Sequence, residues 1–229
     1  MQFWVACWLL LFLDGVKKIR HQHLLKVHNQ CFVIRLSVHI MDRSISNGGC
    51  IKVCLIPLKV VGQDPAENLR HFEVRLEEIA PHRPDLVCLP ECAFTGYLYS
   101  EQDFARFAEP IPGQTTAFVS SIAQTQQCYI CFGMLEKTPE GVYSSAVLIN
   151  RSGQIVHVHR KIVEQPPFVT GSEVKAVATD FGKVSLLLCG ELFDEKVKAK
   201  IIPETHLLIC QIESSFDGKS PELKRWLHE

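Results

Sequence analysis

Charge of one sign is what this 229-residue chain most lacks: 24 Lys and Arg against 25 Asp and Glu leave a formal net charge of −1. Such a balance supplies no global attraction to nucleic acid. Long apolar runs are missing too. The longest, Phe3 to Leu13, has eleven residues, well short of the ~20 that a membrane-spanning helix needs. No Gly-rich phosphate loop of the Walker or dinucleotide type is present, which removes that route to nucleotide chemistry. Low-complexity tracts and short repeats are absent, and 47% apolar against 21% charged residues excludes disorder. The ten cysteines lack the dense spacing of a small disulfide-stapled domain. What remains is an ordinary globular chain of one large domain or two small ones.

Several cysteines stand inside apolar runs (Val87-Cys88-Leu89, Ile130-Cys131-Phe132, Leu188-Cys189), where Cys packs as a small hydrophobe. Cys128-Tyr-Ile-Cys131 has the CxxC form, but on a strand its thiols point to opposite faces, so core packing is expected there and not a metal. Reduced thiols point to a cytoplasmic protein, with membrane association through Phe3–Leu13 as the alternative. Residues 1–50 carry six basic and two acidic side chains, and the cluster Lys17, Lys18, Arg20 follows the apolar run. That order is closer to an anchor than to a cleaved signal; an ordered apolar extension or a misassigned start codon is the preferred reading. Residues 1–50 are therefore set apart as an N-terminal extension, and 51–229 as the folded domain.

From Ile51 onward the pattern is clear. Ile51–Ile56 reads as a short apolar strand stopped by Pro57. Asp64-Pro65-Ala66-Glu67 is a helix start, with Asp at the N-cap, Pro at the first helical position and Glu closing a capping box. Leu69, Phe72, Leu76 and Ile79 then mark one apolar helix face, and Pro81 and Pro84 stop it. Asp85–Pro90 predicts a second apolar strand, and a strand-helix-strand unit implies a parallel pair. Ser100 and Asp103 cap a short helix through Ala108, and Thr115–Gln127 reads as another helix. Cys128–Met134, Val142–Asn150, Gln154–His159, Val174–Thr179, Val184–Leu188 and a strand within Glu204–Ile212 complete the pattern. Helices alternating with strands and hairpins predict a mixed sheet covered by helices.

Three residues stand at strand ends, where α/β sheets gather their chemistry. Glu91 closes Asp85–Pro90 ahead of Gly96-Tyr97, Lys161 follows Gln154–His159, and Cys189 closes Val184–Leu188 ahead of Gly190 and Glu191. Taken singly, each has a plainer reading: a solvated carboxylate, a surface lysine, a core thiol. Together, in this order and spaced by 70 and 28 residues, they form a specific pattern.

From Ile51 to about Ser215 the chain resembles the nitrilase (carbon–nitrogen hydrolase) superfamily. The stretches that carry the resemblance are Asp85-Leu-Val-Cys-Leu-Pro-Glu91 with Gly96-Tyr97, Gly153-Gln-Ile with His159-Arg-Lys161, and Gly182-Lys-Val-Ser-Leu-Leu-Leu-Cys189-Gly-Glu191. The resemblance implies an α/β fold, the α-β-β-α sandwich of mixed sheets covered by helices, and a Glu-Lys-Cys triad of Glu91, Lys161 and Cys189. It implies a small-molecule amide substrate and allows pairing of two sandwiches as a homodimer; no cofactor, no metal and no nucleic-acid or membrane partner is expected. Cys189 would attack the carbonyl carbon, Glu91 would move the protons, and Lys161 with the Gly190 N–H would face the oxyanion. Tyr97 joins these as a substrate-binding residue. A second glutamate between the Lys and the Cys is implied as well, with Glu164 the better placed and Glu173 the weaker candidate.

The chain departs from the family pattern in four places. Pro57 stands where members usually carry Gln, Gly190 replaces an aromatic residue, and the interval from Lys161 to Cys189 is short. Only 40 residues follow Cys189, where members continue through further strands and helices, so the sandwich is expected to be incomplete at its C-terminal end, with a sheet edge uncovered. Glu204–Ile212 offers one strand, Glu213–Gly218 resembles a substrate loop, and Pro221–Glu229 starts a helix. The leading expectation is hydrolysis of a small aliphatic or N-carbamoyl amide to acid and ammonia; the alternative is an inactive truncated homologue acting as a binding protein. A third reading takes His157 and His159, two imidazoles on one strand face, and the cysteines as a metal or redox module. His21, His23 and His28 read as solvated.

Overall fold

Alternation of side chains across short strands decides the layers of this fold. The structure, a computed structural model, describes residues 50–212, preceded by four strands, β1 (Gln2–Val5), β2 (Cys7–Leu11), β3 (Gln22–Lys26) and β4 (Phe32–Ser37). The substrate-like loop Glu213–Gly218, the helix expected from Pro221 and the side chains of residues 1–50, His21, His23 and His28 among them, lie outside the described residues.

β5 (Cys50–Leu55), β6 (Leu58–Val61), α1 (Pro65–Ile79) and β7 (Leu86–Cys88) form the first unit. Asp64 caps α1 by accepting from Glu67 N–H at 3.1 Å, while the Glu67 carboxylate turns to Arg70 Nε at 2.9 Å, so only half of the expected capping box forms. Phe72, Leu76 and Ile79 are buried as the apolar spacing predicts, with Asn68 buried beside them. Its amide binds Val61 N–H and O at 2.7 Å and Phe94 O at 2.8 Å, tying α1 to the neighbouring loops.

α2 (Glu101–Phe107), α3 (Gln114–Gln126), β8 (Tyr129–Thr138), β9 (Gly141–Ile149) and β10 (Ile155–Arg160) follow. They are succeeded by β11 (Ala176–Thr179), β12 (Gly182–Leu188), α4 (Glu195–Lys198) and β13 (Leu207–Gln211). The larger sheet runs β10-β9-β8-β7-β5-β4-β3, with β5, β7 and β8 parallel. The smaller runs β11-β12-β13-β2, with β12 and β13 parallel and β2 antiparallel on the outer side of β13. β1 pairs with β6, a strand the sequence reading missed because it took Pro57 as the end of Ile51–Ile56 and assigned nothing before the helix start at Asp64.

Odd and even residues sort into different cores. Cys54, Val87, Ile130 and Phe132 face α1 and α3, packing with Phe72, Ile79, Val119 and Ala123. Val53, Leu86, Cys88 and Cys131 face the second sheet, meeting Val184, Leu186, Leu188 and Ile209. Cys128 lies in the helix-side core and Cys131 between the sheets, on opposite faces as the strand geometry requires. Beyond the second sheet Leu187, Leu208 and Cys210 pack with Leu192 and Val197, the latter from the single-turn α4. The layers are thus helix, sheet, sheet and a thin helical cover. No helix among the described residues is long and apolar enough to cross a membrane.

Candidate active site

β7 ends at Cys88, and the chain beyond it continues alongside β8. Leu89 N–H donates to Cys131 O, Gly133 N–H to Pro90 O, and Ala93 N–H to Gly133 O, at 2.8–3.1 Å. Glu91 is therefore pressed against Gly133, where a Cβ would stand 2.7 Å from Glu91 Cα and 2.8 Å from Cys92 N. Only glycine permits that approach. Cys92 adopts a left-handed φ of 48° and Gly96 one of 74°, a reversal that brings the Tyr97 hydroxyl to within 2.8 Å of Lys161 Nζ.

Glu91 is 1% exposed. Its Oε1 accepts from Lys161 Nζ at 3.0 Å and from Ser144 Oγ at 2.9 Å. Oε2 is buried and has no hydrogen-bond partner among the described residues. Burial pushes the carboxyl up to about 7, against the pull of the Lys161 charge and of the two hydrogen bonds. A carboxyl poised there, with one oxygen unengaged, can accept and return a proton near neutrality.

Lys161 follows β10 directly, and its backbone is fixed on both sides: its N–H donates to Ser144 O at 2.9 Å and its O accepts from Gly171 N–H at 2.8 Å. Nζ reaches Glu164 Oε2 at 2.6 Å as well as Glu91 and Tyr97. Burial works against its charge, but Glu91 and Glu164 outweigh it and hold the ammonium above its usual range. Glu164 is held below its usual range: burial opposes ionisation, yet Lys161, the Tyr97 hydroxyl and Gln165 N–H favour the carboxylate more. Tyr97 donates to Glu164 while accepting from Lys161. Burial, together with Glu91, Cys92 and Glu164 nearby, raises its hydroxyl and keeps it protonated. The ring centroid lies 5.8 Å from that of Phe168, the two rings tilted by 57°, and Phe168 is 4.7 Å from Phe104 of α2, an aromatic wall beside the ammonium. Glu173 points elsewhere, pairing with Lys175 at 2.6 Å while 62% exposed. Of the two expected second glutamates, Glu164 is the one beside Lys161.

Cys189 follows β12 directly, with a φ of 45°, and opens the 3-10 turn Cys189–Phe193. That left-handed conformation is rare for a residue with a side chain and is tolerated where a tight turn fixes it. The five strand residues before Cys189 are buried and it alone is partly exposed. Gly190 is exposed, with open space where a Cβ would be.

Glu191 and His159 were passed over by sequence reasoning as a family acidic position and a metal-type histidine. Glu191 is fully buried. It accepts from Leu188 N–H at 2.7 Å, Ile162 N–H at 2.6 Å and His159 Nε2 at 2.8 Å. His159 is thus engaged by a carboxylate, and among the described residues no group of three or more metal-type side chains assembles. His157 hydrogen-bonds the Lys175 backbone, and burial pushes its imidazole down to about 4. It lines a groove of about 430 Å³ along edge strand β10, with Glu136, Tyr143, Arg160 and Thr170; none of Glu91, Lys161 and Cys189 lines that groove.

The Carbon-nitrogen hydrolase family model matches residues 52–217. The chain belongs to that family. Members similar to it include a nitrilase of Pyrococcus abyssi, 28% identical over 150 residues that cover 62% of this chain and 57% of the relative. An omega-amidase, NIT2 of Mus musculus, is 26% identical over 155 residues, covering 62% and 55%. The chain spans about half the length of the curated relatives it matches. Among solved structures, Saccharomyces cerevisiae Nit3 superposes with a TM-score of 0.58 at 23% identity, covering 64% of this chain and 58% of that one. An N-terminal amidase superposes at 0.54 and 20% identity, covering 61% and 39%. Both structures share the mixed α/β fold described above.

Proposed function

We propose that the chain hydrolyses a carbon–nitrogen bond other than a peptide bond, in a small aliphatic or N-carbamoyl amide, through a thioester on Cys189. The observation that carries this reading is the buried Glu91–Lys161 pair, 3.0 Å apart, in which one Glu91 oxygen is left unengaged. It stands at the strand ends of a fold whose family acts on such bonds.

In this reading Glu91 takes the Cys189 thiol proton, and the thiolate forms a C–S bond to the amide carbon. The displaced π-electron pair becomes an oxyanion, faced by the Lys161 ammonium and the Gly190 N–H. A well-aimed donor of this kind contributes ~3–4 kcal/mol. Collapse breaks the C–N bond, and Glu91 returns its proton to the departing nitrogen. Water, deprotonated by Glu91, then attacks the thioester carbon and releases the acid, and the proton goes back to the thiolate. Glu164 and Tyr97 hold Lys161 charged and aimed, and Tyr97 with Phe168 walls the substrate side.

Ammonia release across a panel of small amides tests this. Wild-type protein should turn over at least one amide, and Cys189→Ala should abolish that turnover while leaving the circular dichroism spectrum unchanged. Turnover retained in Cys189→Ala would overturn the reading.

A further inference from the structure

The Glu191 carboxylate lies where the two sheets meet. One of its amide donors, Ile162 N–H, belongs to the residue after Lys161; the other, Leu188 N–H, to the residue before Cys189. Ile162 follows the last strand of the larger sheet, and Leu188 ends a strand of the smaller. A single buried side chain therefore spans the two backbone positions that flank the ammonium and the thiol.

A carboxylate removed from water needs its charge satisfied. Two of the three donors are backbone groups that cannot be varied. The third is the His159 imidazole, 2% exposed. Because carboxylate oxygens accept, His159 donates through Nε2–H; its Nδ1 has no hydrogen-bond partner among the described residues. His159 thereby fixes the rotation of the Glu191 carboxylate, and with it which oxygen serves which amide: Oε2 takes His159 and Leu188, leaving Oε1 to Ile162.

We infer that Glu191, oriented by His159, is a positioning residue that sets the distance between Lys161 and Cys189. The inference rests on the catalytic reading of those two residues given above. A clamp of this kind acts on reactivity, because misplacement of reacting groups by about 1 Å costs as much as a hundredfold in rate. A bridge that merely joined the sheets would affect stability and leave the reactivity of the folded thiol alone.

The test is limiting iodoacetamide on the full chain at neutral pH, with label at Cys189 followed by peptide mass spectrometry and amide turnover measured in parallel. In wild-type protein Cys189 should label ahead of the other thiols. His159→Phe, which keeps the bulk and removes the donor, should slow Cys189 labelling and kcat by roughly ten- to a hundredfold, with KM changed far less. His159→Gln, which restores an N–H donor, should recover most of both. Unchanged Cys189 labelling and kcat in folded His159→Phe would overturn the positioning role while leaving the catalytic reading intact. If that variant does not fold, Glu191→Asp, which keeps the charge but draws it back by one methylene, is read the same way. Wild-type protein with no preference for Cys189 would overturn the catalytic reading, and the positioning role with it.

Discussion

Lys161 Nζ and Glu91 Oε1 lie 3.0 Å apart with side chains 7% and 0% exposed. Two opposite charges so placed lose most of their hydration, and the surroundings decide which proton is mobile. The ammonium has a second carboxylate, Glu164, at 2.6 Å, and keeps its proton. Glu91 has the greater burial, and its carboxyl is the group brought close to neutrality.

The pH dependence follows from that asymmetry. If the Glu91 carboxylate is the base, as proposed, kcat/KM should rise as its proton leaves, with an acid-side midpoint near 7. Below the midpoint the rate should fall about tenfold per pH unit. A pH–rate profile on a turned-over amide measures this; a midpoint at the ordinary carboxylate value would contradict it. Glu91→Gln should remove the limb together with the activity.

Lys161→Met should destabilise the protein as well as silence it. Removing one partner of a buried pair typically costs about 3–5 kcal/mol, because the other is left uncompensated. The sign with pH is fixed by linkage. Without the ammonium, the folded chain holds a proton on Glu91 that the unfolded chain has already released, so the folded value is raised further above the unfolded one. Stability is then fully present below the unfolded carboxyl range and declines as pH rises from there. Urea titrations at about pH 5 and 8 should show a larger gap from wild type at the higher pH.

Gly133→Ala probes the approach of Glu91 to β8. The new methyl would meet backbone atoms of Glu91 and Cys92 inside 3 Å, and backbone cannot swing aside. An overpacking cost of about 1–3 kcal/mol is expected, visible as a lower thermal midpoint. Turnover should fall more than the midpoint alone suggests, since the base itself is displaced. An unchanged kcat would show that Glu91 tolerates the shift.

Local rules made part of this legible. Asp64, Pro65 and the Phe72, Leu76, Ile79 face announce α1 because caps and period act within one element. Lys161 and Cys189 stand out because they follow apolar strands. Asn68 did not stand out, since a polar residue on a helix reads as solvated until its distant partner, Phe94 O, is known; Glu191 was legible as part of a motif, but its bond to Ile162 N–H was not. The run Phe3–Leu13 was opaque for another reason. Eleven apolar residues without alternation carry no period, yet β1 and β2, strands of different sheets, take up residues 3–5 and 7–11 of it. β6 escaped because a proline between two short strands looks the same as a proline ending one.

Glu91, Tyr97, Ser144, Lys161 and Glu164, the whole cage around the ammonium, come from a stretch that closes before β11 begins. The thiol arrives only with the smaller sheet. Chains emerge from synthesis in order, and what is made first can fold first. In the proposed reading, synthesis therefore delivers the base and the cation before the thiol they would activate.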